Sequence, residues 1–292
     1  MTIQLIAMDM DGTLLNKENR ILDKTKEILI RAQQKGIILV LASGRSYTRL
    51  LPYARELMMD RYGGFLIEVN GVAIYDIKNQ KRYVYGKMPK ENAQELFTYF
   101  NQWNVEIMGQ MDRGMYDYNP KFILLEKKEY RKKHKLPDDY PWTGATFSFL
   151  GDARDGYPDI RYITKKEEIT EDINKIIVTY WPEYMKEVAR IAKAELSNKY
   201  WVGLTSDKWL EILMPNITKG YGLTKLSQIL NIPYKNMMAI GDGENDLEMI
   251  RLAGIGIAMD NALSIVKENA DDVTLSNNEN GVYEAIKKYV SI

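Results

Sequence analysis

The stretch QLIAMDMDGTL (residues 4–14) joins an apolar run to two acidic residues and a glycine. The run is typical of a strand that is buried on both faces, and Asp9 and Asp11 lie where that strand is expected to end. Residues two apart on a strand point the same way, so both carboxylates are predicted to face one site. Such a pair is costly unless a cation or a donor offsets its charge. Taken alone, the same letters also fit an ordinary Asp-rich turn.

Apolar runs of the same kind recur towards both ends of the chain, and segments with helical periodicity separate them. The runs are 37–43, 65–69, 237–241 and 254–259. Apolar strands that alternate with helices are typical of a parallel sheet covered on both faces. We therefore predict an α/β fold built on a doubly wound, mostly parallel sheet.

The middle of the chain has a different pattern. Residues 105–111 and 208–214 alternate like half-buried antiparallel strands, and apolar residues recur at helical spacing in 90–103 and after Pro182. We predict an inserted α+β domain of residues 84–213 within a core domain of residues 1–83 and 214–292. An insert with two linkers suits a hinged lid.

Composition narrows the possible chemistry. The chain has 292 residues, 40 Lys plus Arg and 40 Asp plus Glu, no cysteine and a single histidine, His134, in a charged run. Disulfides and thiolate metal sites are excluded, and zero net charge disfavours a nucleic-acid-binding protein. No apolar stretch is long enough to span a membrane, and we expect a cytoplasmic protein.

A second acidic cluster, GDGENDLEM (241–249), follows one of the predicted strands. Simple capping of a helix N-terminus explains Glu244 and Asp246 well. It does not explain Asp242, which directly follows the strand and Gly241. Acidic strand ends in one parallel sheet would gather several carboxylates in one crevice, where ligands of such folds bind. Oxygen-only ligands of this kind suit Mg²⁺.

Two further features fit a phosphate site. In ASGRS (42–46), Ser43 and Gly44 follow a predicted strand, where a hydroxyl and free N–H groups can cradle phosphate oxygens. The alternative is a common Ser-Gly entry to a helix. Lys219 begins a predicted helix, where a cation opposes the helix dipole. An acidic cleft or a phosphate would offset it, whereas the alternative is an exposed surface lysine.

Together these groups match phosphoryl transfer: a carboxylate nucleophile, a second acid for proton movement, a metal, a hydroxyl and a lysine. The motifs resemble those of the haloacid dehalogenase (HAD) superfamily, in order and in spacing: DMDGTL (9–14), ASGR (42–45), Lys219 and GDGEND (241–246). The insert resembles the C2 cap of the Cof-like subclass IIB phosphatases. EVNGV (68–72) resembles that subclass after its third strand, with Val72 in place of the usual alanine.

The resemblance implies a HAD-like core, a cap domain and a role for each matching residue. Asp9 would be the nucleophile and a Mg²⁺ ligand, and Asp11 the general acid and base, with its backbone carbonyl on the metal. Asp242 would be the third protein ligand, and Asp246 would orient the metal's waters or Lys219. The phosphate would be held by Ser43, Gly44, Lys219 and Asn245.

The function expected on this basis is Mg²⁺-dependent hydrolysis of a small phosphorylated metabolite, such as a sugar phosphate, through an aspartyl-phosphate. Two alternatives stay open. A phosphomutase would share Asp9 and Asp11 but return the phosphoryl group to substrate. A non-catalytic phosphometabolite-binding regulator would keep the fold without turnover. The sequence does not indicate the oligomeric state or the natural substrate.

Overall fold

The computed structural model describes residues 2–138 and 159–291. The chain divides into two compact units. We call Met1–Tyr85 together with Ile217–Ile292 the core unit, and Gly86–Asn216 the inserted unit. Residues 139–158, which belong to the predicted inserted domain, lie outside the described residues.

The N-terminal part of the core unit alternates strands and helices and then ends in a pair of strands. Its elements are β1 (Leu5–Asp9), α1 (Asp23–Gln34), β2 (Ile38–Ala42), α2 (Tyr47–Glu56), α3 (Met59–Tyr62), β3 (Phe65–Glu68), β4 (Ala73–Asp76) and β5 (Lys81–Val84).

The inserted unit mixes strands with three longer helices in its described residues. Its elements are α4 (Lys90–Asn101), β6 (Glu106–Gln110), β7 (Gly114–Tyr118), α5 (Lys121–His134), β8 (Asp159–Tyr162), β9 (Lys175–Thr179), α6 (Pro182–Leu196), β10 (Trp201–Ser206) and β11 (Trp209–Leu213).

The C-terminal part of the core unit returns to the alternation of helix and strand. Its elements are α7 (Lys219–Leu230), β12 (Met237–Gly241), α8 (Leu247–Leu252), β13 (Ile255–Ala258), α9 (Ser264–Lys267), β14 (Asp272–Val273) and α10 (Gly281–Tyr289).

The strands of the core unit form one eight-stranded sheet in the order β14-β13-β12-β1-β2-β3-β4-β5. Pairing is parallel from β14 to β3 and antiparallel from β3 to β5. The predicted doubly wound, mostly parallel α/β fold is confirmed. The antiparallel hairpin of β4 and β5 was not predicted, because its strands are short and the second, KRYV, is largely polar.

Both faces of this sheet are buried, which explains why its central strands are apolar throughout. In β1, Ile6 and Met8 pack into one apolar cluster with residues of α1 and α10. Leu5 and Ala7 point to the other face and pack with residues of α7 and α8. Helices therefore cover the sheet on both sides, and ligands of such a fold bind at the carboxyl ends of its strands.

The inserted unit has its own six-stranded sheet, in the order β10-β11-β9-β6-β7-β8, with antiparallel pairing except between β7 and β8. Apolar residues of α4 and α6 pack against one face of this sheet and form a second hydrophobic core. Among the described residues, none of the helices combines the length and the apolar character that crossing a membrane requires.

Candidate active site

The candidate site lies where two adjacent parallel strands of the core unit end. β1 ends at Asp9, its neighbour β12 ends at Gly241, and Asp242 follows directly. Parallel strands bring their carboxyl ends to the same edge of the sheet, so residues far apart in sequence meet there. Asp9, Asp242 and Asp246 each place a carboxylate oxygen within 4.8 Å of the others.

The negative charges of Asp9, Asp242 and Asp246 are unfavourable at such short separations, because these side chains are largely removed from water. Burial raises the pKa of Asp9 well above its ordinary value; Lys219 opposes this rise, and Asp246 and Asp242 add to it. Burial also raises the pKa of Asp242, to about 6. Such shifts are expected where several carboxylates share a buried site with too few cations to balance them.

Lys219 supplies one positive charge at this site. Its Nζ donates to Oδ1 of Asp246 at 2.6 Å and also to Asp9, and its side chain is fully buried. Burial disfavours the ammonium, but Asp246 and Asp9 outweigh it and raise the pKa of Lys219 above its ordinary value. The burial excludes an exposed surface lysine, and the contacts with Asp9 and Asp246 explain how a cation is tolerated in the first turn of α7.

Asp246 serves the backbone as well as Lys219. Its Oδ2 accepts hydrogen bonds from the backbone N–H groups of Asp242 and Gly243, both at 3.0 Å. These bonds hold the turn that follows β12, and with it the Asp242 side chain. A single carboxylate, that of Asp246, thus both caps the local N–H groups and contacts Lys219.

Thr13 was not predicted to belong to the site. Its hydroxyl donates to Oδ1 of Asp242 at 2.6 Å, which links the two acidic motifs directly. Gly12, just before it, has φ +85°, and a side chain there would overlap the Asp242 carboxylate. The glycine and the threonine are visible in the sequence DMDGT, but no local pattern indicates that they contact Asp242, which lies 229 residues after Thr13.

The expected orientation of Asp11 was wrong in its physical basis. β1 ends at Asp9, so the alternation of a strand does not extend to Asp11. The Asp11 side chain is 55% exposed and forms a two-pronged ion pair with Arg45, through Nε at 3.0 Å and through Nη2. Its carboxylate is not part of the group formed by Asp9, Asp242 and Asp246. Coordination through its backbone carbonyl stays a prediction.

The ASGR loop follows β2, the other neighbour of β1. Ser43 is 2% exposed, and its hydroxyl accepts from the backbone N–H of Arg45 at 3.2 Å. Gly44 lies half-buried between these two residues. Arg45 belongs to this motif but had no predicted role, and the structure shows that it contacts Asp11.

Asn245 lies half-buried after Asp242. Its Nδ2 donates to Oδ1 of Asn70 at 3.1 Å, and Asn70 is itself 2% exposed. The structure therefore connects the acidic motif to the segment that follows β3.

The donor set fits a hard divalent cation. Carboxylate oxygens of Asp9, Asp242 and Asp246 converge, and burial raises the pKa of both Asp9 and Asp242, so a cation beside them would favour their ionised forms. Carboxylate ligands that leave room for water and phosphate oxygens are the usual surroundings of Mg²⁺.

Comparisons with known proteins agree with this geometry. Residues 6–286 match the sequence profile of the haloacid dehalogenase-like hydrolases. A curated relative from Bacillus subtilis (strain 168), the 5-amino-6-(5-phospho-D-ribitylamino)uracil phosphatase YcsE, is 30% identical over 292 residues, which cover 99% of this chain and 96% of the relative.

Solved structures show the same fold. A haloacid dehalogenase-like hydrolase from Bacteroides thetaiotaomicron has a TM-score of 0.78 at 30% identity, and the match covers 98% of this chain and 99% of the other. The subclass IIB sugar phosphatase BT4131 has a TM-score of 0.75 at 22% identity, with 98% of each chain covered. The latter similarity bears on the fold alone.

Proposed function

We propose a reaction for this chain, which belongs to the haloacid dehalogenase-like hydrolase family and is a phosphatase of that family: Mg²⁺-dependent hydrolysis of a small phosphate monoester through a phosphorylated Asp9. The observation that carries this proposal is the cluster of the Asp9, Asp242 and Asp246 carboxylates, in which the buried Lys219 forms ion pairs with Asp9 and Asp246. It combines a nucleophile, a cation site and a fixed positive charge in one crevice.

In the proposed first half-reaction, a carboxylate oxygen of Asp9 attacks the phosphorus atom of the ester. The bond from phosphorus to the ester oxygen breaks, and Asp11 gives its proton to the leaving alcohol. In the second half, Asp11 takes a proton from water, the water oxygen attacks phosphorus, and Asp9 leaves as a carboxylate with inorganic phosphate as product. Mg²⁺ held by Asp9, Asp242 and the backbone carbonyl of Asp11, with Asp246 orienting its waters or Lys219, would neutralise charge on the transferring phosphoryl group.

Lys219 supports this role of Asp9 because its ammonium favours the ionised carboxylate that a nucleophile must be. For Asp11 to act as the general acid, its side chain must first move. Its carboxylate is held by Arg45, so it must leave this ion pair before it donates a proton to the leaving group. We propose that Ser43, Gly44, Lys219 and Asn245 bind the phosphate oxygens, since all four follow or face the same sheet edge.

For the substrate we propose a phosphorylated sugar or sugar alcohol. Support comes from the YcsE relative, whose named substrate carries a phosphate on a ribityl chain and which aligns over nearly the whole of both chains. We further propose that the inserted unit Gly86–Asn216 is the C2-type cap that selects this substrate. It has a hydrophobic core of its own, as a separately folded selecting domain needs.

The test is a screen of purified protein against a panel of phosphate esters, with p-nitrophenyl phosphate, sugar phosphates and 5-amino-6-(5-phospho-D-ribitylamino)uracil. We expect release of inorganic phosphate that requires Mg²⁺. Full activity in excess chelator would contradict the metal site. Formation of a phosphorylated isomer in place of inorganic phosphate would identify a phosphomutase, and binding without turnover would identify a regulator.

A further inference from the structure

The segment Val69–Gly71, directly after β3, has an unusual backbone. Its three residues have φ values of +48°, +54° and +102° in sequence. Asparagine and glycine tolerate this left-handed region, but a β-branched valine rarely adopts it. Such a conformation persists only where surrounding contacts enforce it, and it is typical of functional sites.

The contacts that enforce it come from the motif-bearing loops of the candidate active site. The backbone N–H of Val69 donates to the carbonyl of Arg45 at 3.1 Å, and that of Asn70 donates to the carbonyl of Ser43 at 2.9 Å. Gly71 lies against the carbonyl of Thr218, the residue before Lys219, so closely that a side chain at position 71 would overlap it.

The Asn70 side chain extends these contacts to the acidic motif. Its Oδ1 accepts from Nδ2 of Asn245 at 3.1 Å, and the side chain is removed from solvent. An amide NH₂ group carries two hydrogens. With one of them directed to Asn70, the orientation of the Asn245 amide is set, and among the described residues the second hydrogen has no acceptor, so it remains for a ligand.

We infer that Asn70 is a positioning residue for phosphate binding: it holds the Asn245 amide so that its second N–H donates to a substrate phosphate oxygen. This inference rests on the proposed function, in which Asn245 binds phosphate. Asparagine suits position 70 on two grounds. It tolerates φ +54°, and its amide oxygen is a neutral acceptor, whereas an aspartate would bring a negative charge close to the phosphate.

The test uses the full-length protein with Mg²⁺ and measures the Kd for inorganic phosphate by calorimetry. The variants are Asn70→Gly, Asn245→Ala and the combination of both. Glycine at position 70 keeps the backbone conformation and removes only the amide. We expect Asn70→Gly to weaken phosphate binding about 10-fold, as for loss of one hydrogen bond to a charged group.

The double variant separates positioning from general structural damage. If Asn70 acts through Asn245, then Asn70→Gly changes the Kd by less than about twofold in the Asn245→Ala background. Equal weakening in both backgrounds would overturn the inference, as would an unchanged Kd in Asn70→Gly. If the native protein binds no phosphate, or if Asn245→Ala binds it as well as the native protein, the proposed phosphate site itself is wrong and the inference falls with it.

Two controls protect this experiment. Asn231→Gly changes another left-handed asparagine, φ +53°, which is exposed at the end of α7, and it should leave the Kd unchanged. Asn70→Asp keeps the shape and the oxygen that accepts from Asn245, so it tests, even where Asn70→Gly is poorly folded, whether position 70 lies close enough to the bound phosphate for a charge there to weaken binding. Its negative charge should weaken phosphate binding at least as far, and native affinity in Asn70→Asp would contradict the assigned place of Asn70.

Discussion

Lys219 is the residue on which the electrostatics of the candidate site depends. It is fully buried between Asp9 and Asp246, in a group that also includes Asp242. Removal of one member of a buried ion pair leaves the other uncompensated, which is far more costly than the loss of an exposed pair. The same contact that favours an ionised Asp9 therefore also stabilises the fold.

Lys219→Met should lower the free energy of unfolding by about 3 kcal/mol, because two buried carboxylates lose their cation. Urea denaturation of the metal-free protein measures this. Lys26→Met is the matched control, since Lys26 forms an exposed pair with Glu56 at 3.3 Å in the same unit. The control should change stability by less than about 1 kcal/mol, and equal effects of the two substitutions would contradict the account.

Asp11→Asn should affect substrates unequally. A general acid contributes about 10²–10⁴-fold to rate, and most where the leaving group is a poor one. We expect turnover of alkyl phosphates to fall far more than turnover of p-nitrophenyl phosphate, whose phenolate leaves without a proton. Steady-state kinetics over a series of leaving groups measures this, and an equal loss for all of them would exclude Asp11 as the acid.

Much of the candidate site at this scale was predictable, because its aspartates and its lysine are chemically distinctive residues in recognisable motifs. Their supporting partners were not. Thr13 and Arg45 were within the quoted motifs, yet their contacts with Asp242 and Asp11 depend on how loops fold after the strands end. The strand alternation from which the orientation of Asp11 was predicted failed for the same reason, since β1 stops at Asp9.

At the scale of elements, helices and strands with strong apolar periodicity were predictable, and those with polar faces were not. The helix predicted to begin at Lys219 and the predicted strand 237–241 coincide with α7 and β12. In the inserted unit, β7 and α5 were missed: β7 carries Asp117, and much of α5 is charged. These charges are partly buried through pairing, as between Lys127 and Glu106 at 2.6 Å.

That buried cluster in the inserted unit makes stability depend on pH. Burial raises the pKa of Glu106, Lys127 opposes the rise, and Asp117 adds to it; burial also raises the pKa of Asp117. A carboxyl whose pKa is raised in the folded state keeps its proton longer than in the unfolded state. The folded state is therefore progressively disfavoured as pH rises above the ordinary carboxyl range.

Asp117→Asn should remove part of this penalty, because Glu106 then has Lys127 without a competing carboxylate. We expect a higher Tm at pH 7 and little change at about pH 2.5, where the carboxyls are mostly protonated in both states. Calorimetric melting at the two pH values measures the effect. A lower Tm at pH 7, or an equal change at both, would contradict this assignment of charge.

At the scale of the whole molecule, the chain is a HAD-family phosphatase in which one α/β unit carries the candidate site and a second unit is inserted between two of its motifs. Family, fold class and enzyme class followed from four motifs in register: three lie at the ends of strands of one sheet, and the fourth, Lys219, begins α7 and contacts Asp9 at the end of β1. The substrate did not follow, since the inserted unit has no recognisable chemical motif.

The central claim is that Asp9 becomes phosphorylated during turnover, and trapping this intermediate tests it most directly. Protein mixed with Mg²⁺ and substrate is quenched in acid and reduced with borohydride, which converts an aspartyl-phosphate to homoserine. Mass spectrometry of the peptide that contains Asp9 and Asp11 then locates the change. The account predicts homoserine at position 9 alone and none in Asp9→Asn. Homoserine at another position, or turnover in Asp9→Asn, would contradict it.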